Sequence, residues 1–111
     1  MFHSTYFAYG VNVSTTEPAW AEAERLDKAL TPLADRCPDV GYLTAGDYDR
    51  DRVFLTTQCD EVDLGDYKHV TPETVTPEQL ADWDRQLAVA VAELGYADST
   101  PAGWLCVPDL S

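Results

Sequence analysis

The sequence predicts a single α+β domain over residues 1–111, in which an antiparallel sheet is roofed by two helices. Two observations lead there. Thr76–Gly95, TPEQLADWDRQLAVAVAELG, has the start signal, the 3.6-residue periodicity and the stop of an amphipathic helix. Around it, short aromatic and β-branched runs bounded by turn composition read as strands. A chain of 111 residues can bury a core without staples, and an apolar content of 45% suits a folded domain despite the charge.

Thr5–Val13, TYFAYGVNV, is the first strand. Side chains alternate along a strand, so Thr5, Phe7, Tyr9, Val11 and Val13 share one face and Tyr6, Ala8, Gly10 and Asn12 the other. Gly10 weakens the strand locally and is the place for a bulge or a close backbone approach. Ser14-Thr15-Thr16 then supplies an N-cap, with Glu17 and Pro18 in the first turn of a helix. Its apolar stripe is Ala19, Ala23, Leu26, Leu30, Leu33 and Cys37, with Trp20 at the edge, while Glu22, Arg25, Ala29 and Arg36 point away. Pro32 removes a hydrogen bond and crowds the Lys28 carbonyl. The helix either kinks there or stops near Leu30 and restarts from Thr31. The unbroken phase of the stripe favours one broken helix, ended by Cys37-Pro38.

Val40–Ala45 and Arg52–Cys59 form a hairpin about the turn from Gly46 to Asp51. Asp60–Val75 is either an acidic loop or hides a short strand around Tyr67–Val70, since a structureless loop of that length is uncommon in a compact domain. In the second helix Thr76 is the N-cap, Pro77 takes the first helical position and Gln79 completes a capping box. Leu80, Trp83, Leu87, Val91 and Leu94 form the buried stripe, flanked by Ala90. Asp82, Arg85, Gln86 and Glu93 lie opposite, with Val89 alone among them, and Gly95 is the stop. Trp104–Val107 is the last strand, before Pro108. The order β-α-β-β-α-β is that of ferredoxin-like sandwiches, with an antiparallel sheet under two helices on one face.

Seven basic and twenty acidic residues leave a net charge of −13. Such a field repels phosphate backbones, so no nucleic-acid partner is expected. The N-terminus lacks the basic and apolar regions of a signal peptide, and no segment is long enough to span a membrane. Cys37, Cys59 and Cys106 are odd in number and match no zinc or redox spacing, which fits reduced thiols in a cytoplasm. Cys59 and Cys106 sit in apolar runs and read as small core residues. No metal and no cofactor are expected. Asp47, Asp49 and Asp51 begin like a calcium loop, yet Arg52 and Gln58 stand where an EF-hand needs glycine and glutamate. Phosphate loop, HExxH helix and nucleophile elbow are all missing from the sequence. Asp60 and Glu61 oppose a thiolate at Cys59.

Tyr6–Asn12, YFAYGVN, resembles the N-terminal strand and loop of γ-glutamylcyclotransferase-like proteins, which read Tyr-Gly-Ser-Asn there. The resemblance implies a γ-glutamyl group held by that loop and a downstream glutamate as acid-base, for which Glu61 with Tyr67 is the nearest counterpart. Only this stretch matches. Val11 replaces the family's serine, and a helix occupies the space of the family's barrel strands.

The uncovered sheet face points to another function. With Phe7, Tyr9 and Val11 towards the helices, Tyr6 and Ala8 face away, joined by Tyr42 or Leu43, Phe54 or Leu55, and Trp104 or Leu105. Every choice puts large apolar groups where a solvated face would alternate with polar ones, and such a face tends to be a binding surface. Tyr6, Tyr42, Phe54 and Trp104 are therefore the expected binding residues, with a second copy of the chain or another protein as partner. The expected function is a small cytoplasmic interaction or regulatory domain, homodimeric through that face and without catalysis of its own. Two other classes fit the composition. One is a small-molecule enzyme of the dimeric α+β barrel type, with His69, assisted by Glu61 or Asp63, as acid-base in a pocket. The other is an acidic nucleic-acid mimic or inhibitor binding a basic partner.

Overall fold

The computed structural model describes residues 3–46, 51–69 and 75–110. Its elements run β1 (His3–Val13), α1 (Ala19–Ala29), a 3-10 turn (Thr31–Leu33), β2 (Gly41–Ala45), β3 (Arg52–Asp63), α2 (Pro77–Glu93) and β4 (Gly103–Leu110). The strands form one antiparallel sheet in the order β2-β3-β1-β4. The α+β class is thus as the sequence predicts. Tyr9, Val11 and Val13 of β1, with Val53 and Leu55 of β3, share one buried cluster with Leu26 of α1 and with Trp83, Leu87, Ala90 and Leu94 of α2. Both helices therefore cover the same face of the sheet.

Helix α2 begins and ends where its sequence signals lie. The Thr76 hydroxyl accepts the Gln79 N–H at 3.1 Å, which is the hydroxyl half of the expected capping box. Pro77 opens the helix and Gly95 takes φ +81° just beyond it. Thr76→Ala is expected to cost about 1 kcal/mol, read as a lower urea midpoint at unchanged slope.

The buried arc of α2 is wider than its stripe. Gln86, expected on the solvent side, is 1% exposed. Its side-chain oxygen accepts the Asp39 N–H at 3.0 Å, and its amide donates to the carboxylates of Asp39 and Asp82 at 2.9 and 2.8 Å. The buried Cys37 thiol donates to the Gln86 carbonyl at 3.4 Å. The chain between α1 and β2 wraps this flank, so Val89 also packs against the core instead of standing out from it.

Helix α1 departs from expectation at its start, and at its end it takes the second of the two expected courses, stopping near Leu30. Its N-cap is Pro18, and the Thr15 hydroxyl instead accepts the Glu17 N–H at 3.1 Å in the preceding turn. Pro32 stops the helix rather than kinking it. Leu30 closes α1 by donating to the Leu26 carbonyl at 3.0 Å, and a 3-10 turn follows in which the proline's missing donor removes no α-helical bond. Leu33 and Cys37 stay buried, because that turn keeps them over the sheet.

The first four residues of the acidic segment, Asp60–Asp63, extend β3, and an exposed loop runs on to His69. Residues 67–69 form no strand; Val70, the end of that possible strand, and Asp47 and Asp49 of the acidic turn lie outside the described residues. Pro108 falls inside β4, which tolerates it because β4 is an edge strand paired only with β1.

A bulge shapes the sheet. Tyr9 pairs with Gln58 and Gly10 with Thr56, which leaves Thr57 as the extra residue. Bulges bend the strand and sharpen its twist. Beyond it the outer strands curl towards one another: the Gly46 N–H, just past β2, donates to the Asp109 carboxylate near the end of β4 at 2.9 Å. Leu43, Ala45, Phe54 and Val107 form a second buried cluster inside that curl, with Tyr6 and Leu105 packed against it.

Candidate functional site

The second face of the sheet is where the expected binding residues separate. Tyr6 and Phe54 lie in its cluster. Tyr42 and Trp104 do not, and this corrects their assignment: both turn to the helices, and Leu43 and Leu105 take the second-face positions. Register is the reason. Tyr42 stands opposite Leu55 and Trp104 opposite Tyr9, both on the helix side. The Tyr42 hydroxyl donates to Asp27 of α1 at 2.7 Å. Trp104 stacks on Phe7 at 5.5 Å between centroids and meets Tyr9 edge-on at 5.0 Å, close to Trp83 at 6.5 Å. These aromatic contacts under α2 hold the indole in place.

His69, Glu61 and Asp63 do not converge. His69 is exposed, its ring 6.4 Å from that of Tyr67. Glu61 and Asp63 instead accept bonds from the Ser4 hydroxyl at 3.1 and 3.4 Å. Among the described residues, no hydrogen bond or ion pair joins His69 to either carboxylate. Burial first, then the charge of Glu61, raises the pKa of the Tyr6 hydroxyl beside them.

Cys37 is buried, as its place on the apolar stripe implies, whereas Cys59 and Cys106, expected in the core, are exposed. Burial, then Asp60 and Glu61, pushes the Cys59 thiol up, away from nucleophilic character. Among the described residues no group of three His, Cys, Asp or Glu side chains is placed to hold a metal. No described helix is long and apolar enough to cross a membrane.

Two polar clusters were not foreseen. Glu22, expected to point away, is 3% exposed. It accepts bonds from Arg25 Nε at 2.7 Å, the Tyr96 hydroxyl at 2.6 Å and the Thr15 hydroxyl at 3.2 Å. Arg25 also reaches the Leu94 carbonyl at 3.2 Å. The cluster ties the β1–α1 turn and α1 to the end of α2. Burial raises the pKa of Glu22, but the bonds from Arg25, Tyr96 and Thr15 outweigh it and hold the carboxyl below its usual range. Elsewhere the Tyr9 hydroxyl donates to Asp84 at 2.5 Å; burial, then that bond, pushes its pKa up to about 12. Both are tethers with every strong donor engaged.

Cavities open on the surface in at least three places among the described residues. One of about 390 Å³ lies at the start of α2 beside Thr76, Gln79 and Trp83. Another, of about 550 Å³, lies between α2 and the chain leading into β4. The largest of these three, about 800 Å³, occupies the second face. Ala45, Gly46, Arg52 and Phe54 line one part of it, with Asn12, Thr100, Pro101 and the run from Gly103 to Pro108 lining the rest. Consecutive β4 residues from Gly103 to Pro108 line it, so the strand's free edge faces the cavity along with its side chains. Among the described residues, Arg52 is the only charged one in the lining. His69 lines none of these three cavities. Of its lining, the sequence named Phe54 and Trp104 as binding residues and offered Leu105 as the alternative to Trp104, whereas Arg52 was seen there only as a residue that spoils a calcium loop.

The YFAYGVN stretch lies wholly within β1, hydrogen-bonded into the sheet between β3 and β4, and so forms no ligand loop. Comparison with models of known families, with curated proteins and with solved structures finds no match in any of the three.

Proposed function

We propose that this chain is a ferredoxin-like interaction domain without catalysis of its own, which associates with a second copy through the second face of its sheet. The element order β-α-β-β-α-β and the strand order β2-β3-β1-β4 support the ferredoxin-like assignment. The observation that carries the functional reading is the cavity of about 800 Å³ on the one sheet face that neither helix covers, with Phe54, Leu105 and Val107 in its lining. A facing copy seated on that face closes over the recess. Three unpaired cysteines and the absence of a long apolar helix among the described residues accord with a cytoplasmic setting.

Sedimentation equilibrium tests this. A dimer at micromolar concentration is expected, and Leu105→Glu should dissociate it with the circular dichroism spectrum unchanged. Two chains of −13 repel, so the dimer should tighten as salt rises. A wild-type monomer at every salt concentration would sink the reading.

A further inference from the structure

We infer that the second-face cavity takes a small anion with an apolar body, its head group held by Arg52. This rests on the reading of that face as the binding surface and names the chemistry it selects.

A volume of about 800 Å³ lies inside the range of small-molecule sites, roughly 300–1,000 Å³, which are mostly apolar with a few placed polar groups. This cavity has that composition. Phe54, Leu105 and Val107 supply an apolar lining, and Pro101 and Pro108 add apolar surface with no N–H donor of their own. The charge pattern decides the ligand's polarity. The protein carries −13, yet among the described residues the only charge in the lining is positive. Arg25, Arg36 and Arg85 are each committed to a carboxylate, whereas Arg52 makes no ion pair among the described residues. Asp109, next in sequence to the lining residue Pro108, accepts the Gly46 N–H at 2.9 Å and is thereby engaged.

A guanidinium matches a carboxylate or similar oxyanion with paired N–H donors, at short range where salt screens little. The diffuse negative field instead disfavours the anion's approach and is screened by salt. The affinity for an anionic amphiphile should therefore hold or rise between low and physiological ionic strength.

The test uses octanoate, octan-1-ol and octylamine as probes on the full chain, with affinity and location read from backbone amide shifts. Octanoate is expected to bind more tightly than the alcohol or the amine, with shifts at Gly46, Leu105 and Val107. Arg52→Gln, at an exposed position, should leave the alcohol unchanged, weaken octanoate about tenfold and improve octylamine. Arg52→Lys should keep part of the preference. Octanoate binding equally to wild type and Arg52→Gln, or shifts centred elsewhere, would overturn the inference. If octan-1-ol binds and octanoate does not, the anion assignment falls and the surface stands. If no probe binds, the inference falls, and the sedimentation result decides separately whether the face is a binding surface at all.

Discussion

Gly10→Ala is expected to destabilise the protein by about 3 kcal/mol or more, a cost at the upper end of overpacking substitutions. Gly10 sits in central strand β1 at the bulge, opposite Thr56 on one side and Gly103 on the other. A Cβ there would collide with the Leu55 carbonyl oxygen and lie 3.0 Å from the Thr56 Cα. Both obstacles are backbone, so no rotamer change relieves them. Relief requires pulling β3 from β1, which breaks the paired backbone between Leu55, fully buried, and the bulge. Because the bulge also curls the second face, the mutant should lose the Gly46–Asp109 link as well. Urea denaturation would show a lower midpoint, and amide exchange would show lost protection along β3 from Val53 to Gln58. A midpoint within experimental error of wild type would mean that the strands do not approach as closely as described.

Glu22→Gln is expected to cost about 2 kcal/mol at neutral pH and progressively less in acid. The carboxylate accepts three side-chain donors while 3% exposed, so the uncharged amide cannot serve Arg25 and Tyr96 equally well. The loss stops short of a fully buried pair because the Arg25 side chain is 45% exposed and can return to water. The pH dependence follows from the lowered carboxyl. In the unfolded chain a glutamate titrates at about 4.3. Since the folded value is lower, the stabilisation is complete above the unfolded value and is lost as pH falls through the folded one. Wild type and Glu22→Gln should therefore converge in stability below that window, measured by urea midpoints across pH. A gap that stays constant into acid would assign the effect to shape rather than charge.

The contrast between these two residues shows what could be read from sequence. Gly10 was legible as a bulge or close approach, because a glycine in an aromatic strand has few other uses. Glu22 was not. On α1 alone it projects from the polar face, and it becomes buried only because Thr15 and Tyr96 arrive over it, the latter 74 residues away. Gln86 repeats the case, covered by Cys37 and Asp39 across the core. Periodicity describes an isolated element, so it misses polar side chains that neighbouring segments enclose. The face assigned to two of the expected binding residues changed for a related reason. Tyr6 and Phe54 lie on the second face as expected, but the choice between Tyr42 and Leu43, or Trp104 and Leu105, depends on pairing register.

By itself the sequence determined the local features: the capped and stopped helix α2, the alternation of β1, the bulge or close approach at Gly10 and the break at Pro32. These follow from backbone sterics, hydrogen-bond capacity and side-chain period within a few residues. Only the tertiary structure decided which member of each adjacent pair faces the helices and which charges are buried. It also decided that the second face curls around an apolar recess with one arginine in its wall. Strand alternation gives two faces without saying which one is covered. That choice is made when β3 pairs with β1 across a bulge, between residues forty or more positions apart.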